Sequence, residues 1–225
     1  MTRTTNARIA GVTFLVYIAA GIASMVLFAR ATSGEGVAAQ LASIAQHATD
    51  VRLTILLGLL CNLSALVLAV TLYAITREQD PDLAMLALTG RVAEGIVGMD
   101  VSKTLGLLWL ATTPDATTLD AGAASALGAY FLKMQASFGA SATFFAVGST
   151  LFSWLLLRGR MIPVALAWLG VLASILLVVC LPLQLAGFLG GPVTSFIWVP
   201  MLLFEVPLAL WLIVKGVAAP APRQY

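Results

Sequence analysis

Three ionisable residues lie deep inside long apolar segments of this 225-residue chain: Arg91, Glu94 and Glu205. Arg91 and Glu94 are three residues apart, so an α-helix places them on one face and allows them to form an ion pair. If such segments cross a membrane, ionisable groups there are expensive, usually face a bundle interior and are often functional. These residues are therefore the first candidates for chemistry.

The two acids are predicted to lie at a similar depth. Counted from Leu83, Glu94 lies about 17 Å along a helix, and counted back from Lys215, Glu205 lies about 15 Å along another. Both counts start at the same membrane face, and Arg91 is about one turn closer to it. With two acids and one base, one acid is expected to carry a proton, because burial and like charge both disfavour a second carboxylate anion.

Small residues share the helix face of the ion pair, which is typical of places where neighbouring helices approach closely. The face comprises Arg91, Glu94, Gly95, Gly98, Ser102 and Gly106. Two interpretations stay open: a binding or proton-coupled site in a small cavity, or a buried ion pair that only fixes helix packing.

A second charged group lies near the other end of the same segment. Asp100 and Lys103 are three residues apart and are able to pair. One interpretation is that their side chains reach the membrane interface or contact a surface helix. The alternative is that, together with Arg52, they line an outward vestibule that attracts anions.

The chain as a whole has the composition of a membrane protein, with 60% hydrophobic and 10% charged residues. A soluble domain carries about 25% charged residues. The net charge of +2 is spread along the chain, so no nucleic-acid partner is expected. Membrane lipids are the expected surroundings.

Motifs of familiar enzymes are absent from the sequence: there is no HExxH, G-x-S-x-G, P-loop or dinucleotide-binding glycine motif. His47 is the sole histidine, which argues against a zinc hydrolase or a Ser–His nucleophile. Cys61 and Cys180 lack CxxC spacing and are interpreted as small apolar fillers. We expect neither a metal nor a cofactor.

Apolar periodicity predicts an all-α, polytopic transmembrane bundle of six helices in a single membrane domain, 1–225. The predicted spans are 9–29, 51–76, 83–111, 135–157, 161–185 and 193–214. Two short amphipathic surface helices are predicted as well, one in 31–50 and one that leads from Leu119 into the fourth span.

The positive residues favour cytoplasmic N- and C-termini and extracytoplasmic surface helices, because cytoplasmic loops of membrane proteins are enriched in Lys and Arg. In this orientation the cytoplasmic side holds Arg3, Arg8, Arg77, Arg158, Arg160, Lys215 and Arg223, and the outer side holds Arg30, Arg52 and Lys133.

Several short motifs follow one another along the chain in an order that resembles that of a known family. They are Arg8-Ile-Ala-Gly11, Val51-Arg52-Leu53, Arg91-Val-Ala-Glu94, Leu155-Leu-Leu-Arg158 before Pro163, and Glu205 followed by Leu210-Trp-Leu-Ile-Val-Lys-Gly216. Together they resemble the bacterial six-span family catalogued as domain-of-unknown-function family 4386. The resemblance implies a fold and a membrane location, and it implies no reaction. The expected location is the bacterial cytoplasmic (inner) membrane.

The leading functional hypothesis is that the protein binds, or moves, a small-molecule or lipidic ligand through the polar interior around Arg91, Glu94 and Glu205. Two alternatives stay open. One is a structural or regulatory membrane subunit whose ion pair only specifies packing. The other is an intramembrane enzyme that uses a carboxylate as acid or base.

Overall fold

A computed structural model describes residues 2–99, 101–113, 121–135 and 139–219 of the chain. All regular structure in these ranges is helical, and they contain no strand. The helices are α1 (Arg3–Ala31), α2 (Val37–Gln46), α3 (Ala48–Thr76), α4 (Pro81–Gly98), α5 (Ser102–Thr112), α6 (Ala121–Gln135), α7 (Gly139–Arg158), α8 (Val164–Leu185), α9 (Val193–Phe196) and α10 (Val199–Val214). The all-α fold that the sequence predicts is confirmed.

Five helical segments are long and apolar enough to cross a membrane. They are α1, α3, α8, the stretch Gly122–Arg158, which contains α7 and all but the first residue of α6, and the stretch Val193–Val214, which contains α9 and α10. A soluble helix of this length would carry a charged face, whereas these segments are apolar almost all round. The chain is therefore a multi-pass membrane protein.

The third predicted span, 83–111, is wrong as one continuous helix, because α4 ends at Gly98 and α5 begins at Ser102. Side chains from other helices bond the carbonyl groups near the end of α4. The Asn62 amide donates to the Gly98 carbonyl at 2.8 Å, and the Ser141 hydroxyl donates to the Glu94 carbonyl at 3.0 Å. A helix end is tolerated in apolar surroundings where such partners replace the missing intrahelical bonds.

The sixth predicted span, 193–214, also contains an interruption. The single turn α9 ends at Phe196, and α10 begins at Val199 with Pro200 in its first turn. Proline has no backbone N–H to donate to the preceding turn, so it is favoured where a helix starts. The fourth predicted span, 135–157, overlaps α7, which runs from Gly139 to Arg158, and its residues 136–138 lie outside the described ranges.

By its internal contacts the chain separates into two compact units. The first unit comprises Met1–Tyr17, Asn62–Gly98 and Gly139–Tyr225. Within it α4 packs against α7, α7 against α8, and α8 against α10. Gly90 of α4 lies against Gly148 of α7 so closely that a Cβ atom at Gly90 would stand 3.4 Å from the Gly148 Cα atom.

The second unit comprises Ile18–Cys61 and Met99–Phe138. In it the short helices α2, α5 and α6 pack against one another. A small core of this unit contains Ile44 of α2 and Leu107 and Leu108 of α5, together with Ala31 of α1 and Val51 of α3. Gly106 of α5 makes room for the Phe131 ring of α6, since a Cβ atom there would meet that ring at 2.9 Å.

Replacing Asn62 with alanine should destabilise the end of α4. Asn62→Ala removes the donor to the Gly98 carbonyl, and the expected loss is about 1 kcal/mol of unfolding free energy. Thermal unfolding of the purified protein in detergent measures it. Thr89→Ala is the control, because the exposed Thr89 hydroxyl donates only within its own helix, to Met85. Equal losses in the two variants would contradict this account of the helix end.

Candidate functional site

Arg91 places a positive charge in the interior of the first unit. Its side chain extends from the middle of α4 and is only 1% exposed, while Glu94 is 3% exposed. The Arg91 Nη1 and Glu94 Oε2 atoms are 2.8 Å apart. This distance is that of an ion pair, but the two groups are not aligned as a hydrogen bond requires. The attraction between their charges therefore holds them together. At this burial, removing one partner alone typically costs about 3–5 kcal/mol.

Aromatic side chains enclose the pair. The Tyr17 hydroxyl of α1 donates to Glu94 Oε1 at 3.0 Å. The guanidinium carbon of Arg91 lies 4.7 Å from the centre of the Phe145 ring and 5.8 Å from that of Tyr17. A cation over an aromatic face is attracted by the ring, and more strongly when water is excluded.

Tyr17 was not among the site residues predicted from the sequence. Tyrosine in membrane helices is enriched at the interface, where its hydroxyl reaches water. Tyr17 instead lies near the middle of the predicted span 9–29. A tyrosine at that depth needs a buried hydrogen-bond partner, and this signal could have linked α1 to one of the two acids.

Glu205 and Arg91 line one small cavity of about 10 Å³ in the first unit. This volume is about enough for one water molecule. Ser149 and Ser153 of α7 supply two further polar groups to the cavity wall. The rest of the lining is apolar: Phe14, Leu72, Phe152, Leu156, Met201, Phe204 and Leu208.

Some polar atoms at this cavity lack a hydrogen bond to any residue that the structure describes: Arg91 Nε, Arg91 Nη2 and Glu205 Oε1. The Ser149 hydroxyl accepts from Arg91 Nη1 at a long 3.5 Å. A buried polar group without a partner costs about 1–3 kcal/mol. One edge of the guanidinium is thus held by Glu94, and the other edge is open to a polar partner.

Gly148 allows Arg91 to occupy this place. A Cβ atom at Gly148 would lie 2.8 Å from Arg91 Cγ and 3.0 Å from Arg91 Cδ, which is closer than side chains tolerate. The aliphatic part of the arginine therefore passes through a gap left by a missing side chain on α7.

We define the polar cluster as Arg91, Glu94 and Glu205, which the structure places in the interior of the first unit. Arg52 and Lys103 belong to the second unit, with Arg52 exposed and Lys103 half-buried. Asp100 lies outside the described residues, and so does its predicted pairing with Lys103. In the second unit Arg30 instead forms an ion pair with Asp50 at 4.0 Å.

No group of three or more His, Cys, Asp or Glu residues able to hold a metal ion occurs in the described part of the chain. The polar cluster is made of one guanidinium and two carboxylates in apolar surroundings. Its components suit the binding of a charge or of a hydrogen-bond acceptor.

Apolar helices and a charged interior define a multi-pass membrane protein. The model of one family, described as domain of unknown function (DUF4386), matches residues 9–216 of this chain. The chain belongs to that family, and the resemblance noted from its motifs is confirmed. No curated protein and no solved structure matches it.

Filling the gap at Gly148 should displace Arg91. Gly148→Ala overpacks the arginine stem, and the expected cost is about 1–3 kcal/mol of unfolding free energy. Gly58→Ala is the matched control, because a Cβ atom at Gly58 would meet nothing within 4 Å. The control should be neutral or stabilised by up to about 1 kcal/mol, since alanine is the better helix former. Thermal unfolding in detergent compares the two, and a Gly148→Ala variant as stable as Gly58→Ala would refute the steric argument.

Proposed function

We propose that this membrane protein binds a small polar or lipidic molecule in its interior, at the polar cluster, and that it moves this molecule when the helices around the cavity rearrange. The observation that supports the proposal is the open edge of Arg91. A buried guanidinium with unpartnered N–H groups, facing a cavity, is costly unless a ligand uses it.

The chemistry of the cavity suggests the ligand class. The Nε and Nη2 groups of arginine lie side by side and match the paired oxygens of a carboxylate or a phosphate group. The apolar lining, which includes Phe14, Leu72 and Met201, suits a hydrocarbon portion. The expected ligand is therefore amphiphilic, with an oxygen-bearing head at Arg91.

The size of the cavity supports a second candidate function. With room for about one water molecule, the cavity is too small for a lipidic ligand unless helices move apart. The polar cluster would then serve as a packing device in a structural or regulatory subunit. In that case a substitution of Arg91 changes the stability of the protein, and neither the wild type nor the variant carries a bound molecule.

Arg91→Lys separates the two functions. Lysine keeps the positive charge and loses the paired N–H edge. We expect native mass spectrometry of the detergent-purified wild type to show a co-purified small molecule, and its occupancy to fall at least about tenfold in Arg91→Lys, a loss of about 1.4 kcal/mol. Thermal unfolding of the same samples reports whether the variant is folded.

Arg8→Lys is the control, because Arg8 is exposed on α1. It should bind like the wild type. A folded wild type without any bound molecule would reject the binding function in favour of the packing function.

We further propose a bacterial cytoplasmic membrane as the location, with six crossings and both termini cytoplasmic. The distribution of Arg and Lys supports this orientation. The sixth crossing, beyond the five apolar segments, would be supplied by 83–111.

Cysteine labelling tests this topology. In a background of Cys61→Ser and Cys180→Ser, we expect Phe188→Cys to react with a membrane-impermeant maleimide in intact cells, since Phe188 is 83% exposed in the turn after α8. Ala219→Cys, after α10, should react only once the cells are opened. Labelling of both positions from the same side would contradict the proposed crossing of α10.

A further inference from the structure

The charges of the interior do not balance. When fully ionised, the polar cluster contributes one positive and two negative charges, and no other Lys, Arg or His lines the cavity among the described residues. Glu205 lies within electrostatic range of both Arg91 and Glu94. An uncompensated charge in apolar surroundings is expensive, so the interior requires one further positive charge.

The contacts indicate which acid lacks compensation. Glu94 has the ion pair with Arg91 and the hydrogen bond from Tyr17, and both contacts favour its carboxylate form. Glu205 has no ion pair within the described ranges, and its Oε1 atom has no hydrogen-bond partner there. Glu205 is 6% exposed, and the cavity beside it has room for about one water molecule, which carries no charge and does not compensate a carboxylate anion.

The space available identifies the missing charge. A cavity of about 10 Å³ does not admit a hydrated cation. The guanidinium of Arg91 on the same wall repels a metal cation, and two serine hydroxyls with one carboxylate make a poor ligand set for one. A proton on Glu205 needs no space and removes the excess negative charge.

We propose that Glu205 is a proton-binding site and that its proton controls access to the open edge of Arg91. With the proton bound, Glu205 is neutral and Arg91 Nε and Nη2 are available to a ligand. When the O–H bond breaks, the electron pair stays on the carboxylate and the proton passes to water. The Glu205 anion then pairs with the open edge of Arg91 and competes with the ligand. The inference rests on the proposed binding function, because it assigns the ion that regulates it.

Among the described residues, the titratable or charged groups within electrostatic range of Glu205 are Tyr17 from α1, and Arg91 and Glu94 from α4. The wall from α7 offers Ser149 and Ser153, which do not titrate. Helix α8 carries no acid or base apart from the thiol of Cys180. The proton balance of the site is therefore set by the polar cluster and Tyr17.

Helix α10 contains a weak point in its backbone hydrogen bonding close to Glu205. Pro207 lies inside α10, two residues after Glu205, and cannot donate to the carbonyl of Leu203. Pro200 lies in the first turn of α10, where a backbone N–H has no intrahelical partner, so it removes no further bond. The missing bond beside Glu205 lowers the cost of a local rotation that carries its carboxylate toward Arg91.

Infrared difference spectroscopy of the full-length protein in lipid vesicles tests the inference. We expect the wild type at neutral pH to show the C=O stretching band of a protonated carboxylic acid, which shifts in D₂O and is lost on alkalinisation. Glu205→Asp should move the band to the frequency of an aspartic acid, and Glu94→Asp should leave it in place. Glu205→Gln should abolish it.

The charge balance of the polar cluster predicts one further result. Glu94→Gln should also abolish the band, because one acid and one base balance without a proton. Asp82→Asn, at the exposed start of α4, is the control and should leave the band intact. The proposal is overturned if the wild type shows no such band, if the band persists in Glu205→Gln, or if Glu94→Asp rather than Glu205→Asp shifts it.

These outcomes are independent of the proposed binding function. A band that belongs to Glu205 in a protein without a bound molecule leaves the proton site standing and rejects the ligand. A bound molecule that is lost in Arg91→Lys, together with no carboxylic acid band, keeps the ligand and rejects the proton.

Discussion

The ion pair between Arg91 and Glu94 is the constraint on which the first unit depends. Two full charges are held 2.8 Å apart with almost no access to solvent. The cost of removing them from water is repaid only if other groups surround them closely. The hydroxyl of Tyr17, the ring of Phe145 and the gap at Gly148 all meet this requirement. Residues far apart in the sequence are thereby fixed around one guanidinium.

The second carboxylate changes the character of this arrangement. An arginine with one glutamate would be a neutral pair suited to packing. Glu205 adds a negative charge to the lining of the same small cavity and leaves the interior with more acids than bases. Such an imbalance is a disadvantage for stability alone, because a buried charge without a partner is costly. It is useful where the charge state must change, and this is why we favour a binding function over packing.

Much of the fold follows from the sequence, because the apolar segments are long and charged residues are rare within them. The ends of α3 and α8 lie within three residues of the predicted bounds, whereas α1 begins at Arg3, six residues before the predicted start. The break between Gly98 and Ser102 was not predicted; the side chain that bonds the last carbonyl of α4 there is Asn62, which lies 36 residues earlier in the chain. Local periodicity contains no information about such a distant partner.

The candidate site shows the same division. Arg91, Glu94 and Glu205 stand out in the sequence, since each charge lies inside an apolar segment. The similar predicted depth of Glu94 and Glu205 also indicated that the three residues lie in one interior. Ser149 and Gly148 could not be assigned in this way, because their importance comes from which atoms they touch across helices. Pairwise contacts of this kind are a property of the folded chain.

The glycine contact between α4 and α7 has a mechanical consequence. Near Gly90 and Gly148 the two backbones lie close together: a Cβ atom at Gly148 would stand 3.1 Å from the Ala87 carbonyl oxygen of α4. Such a crossing has little free space, so sliding or tilting one helix without the other would bring backbone atoms into collision. Helices α4 and α7 are thus expected to behave as a stationary frame that keeps the guanidinium in place, and displacement is left to α10, which has Pro207 inside it.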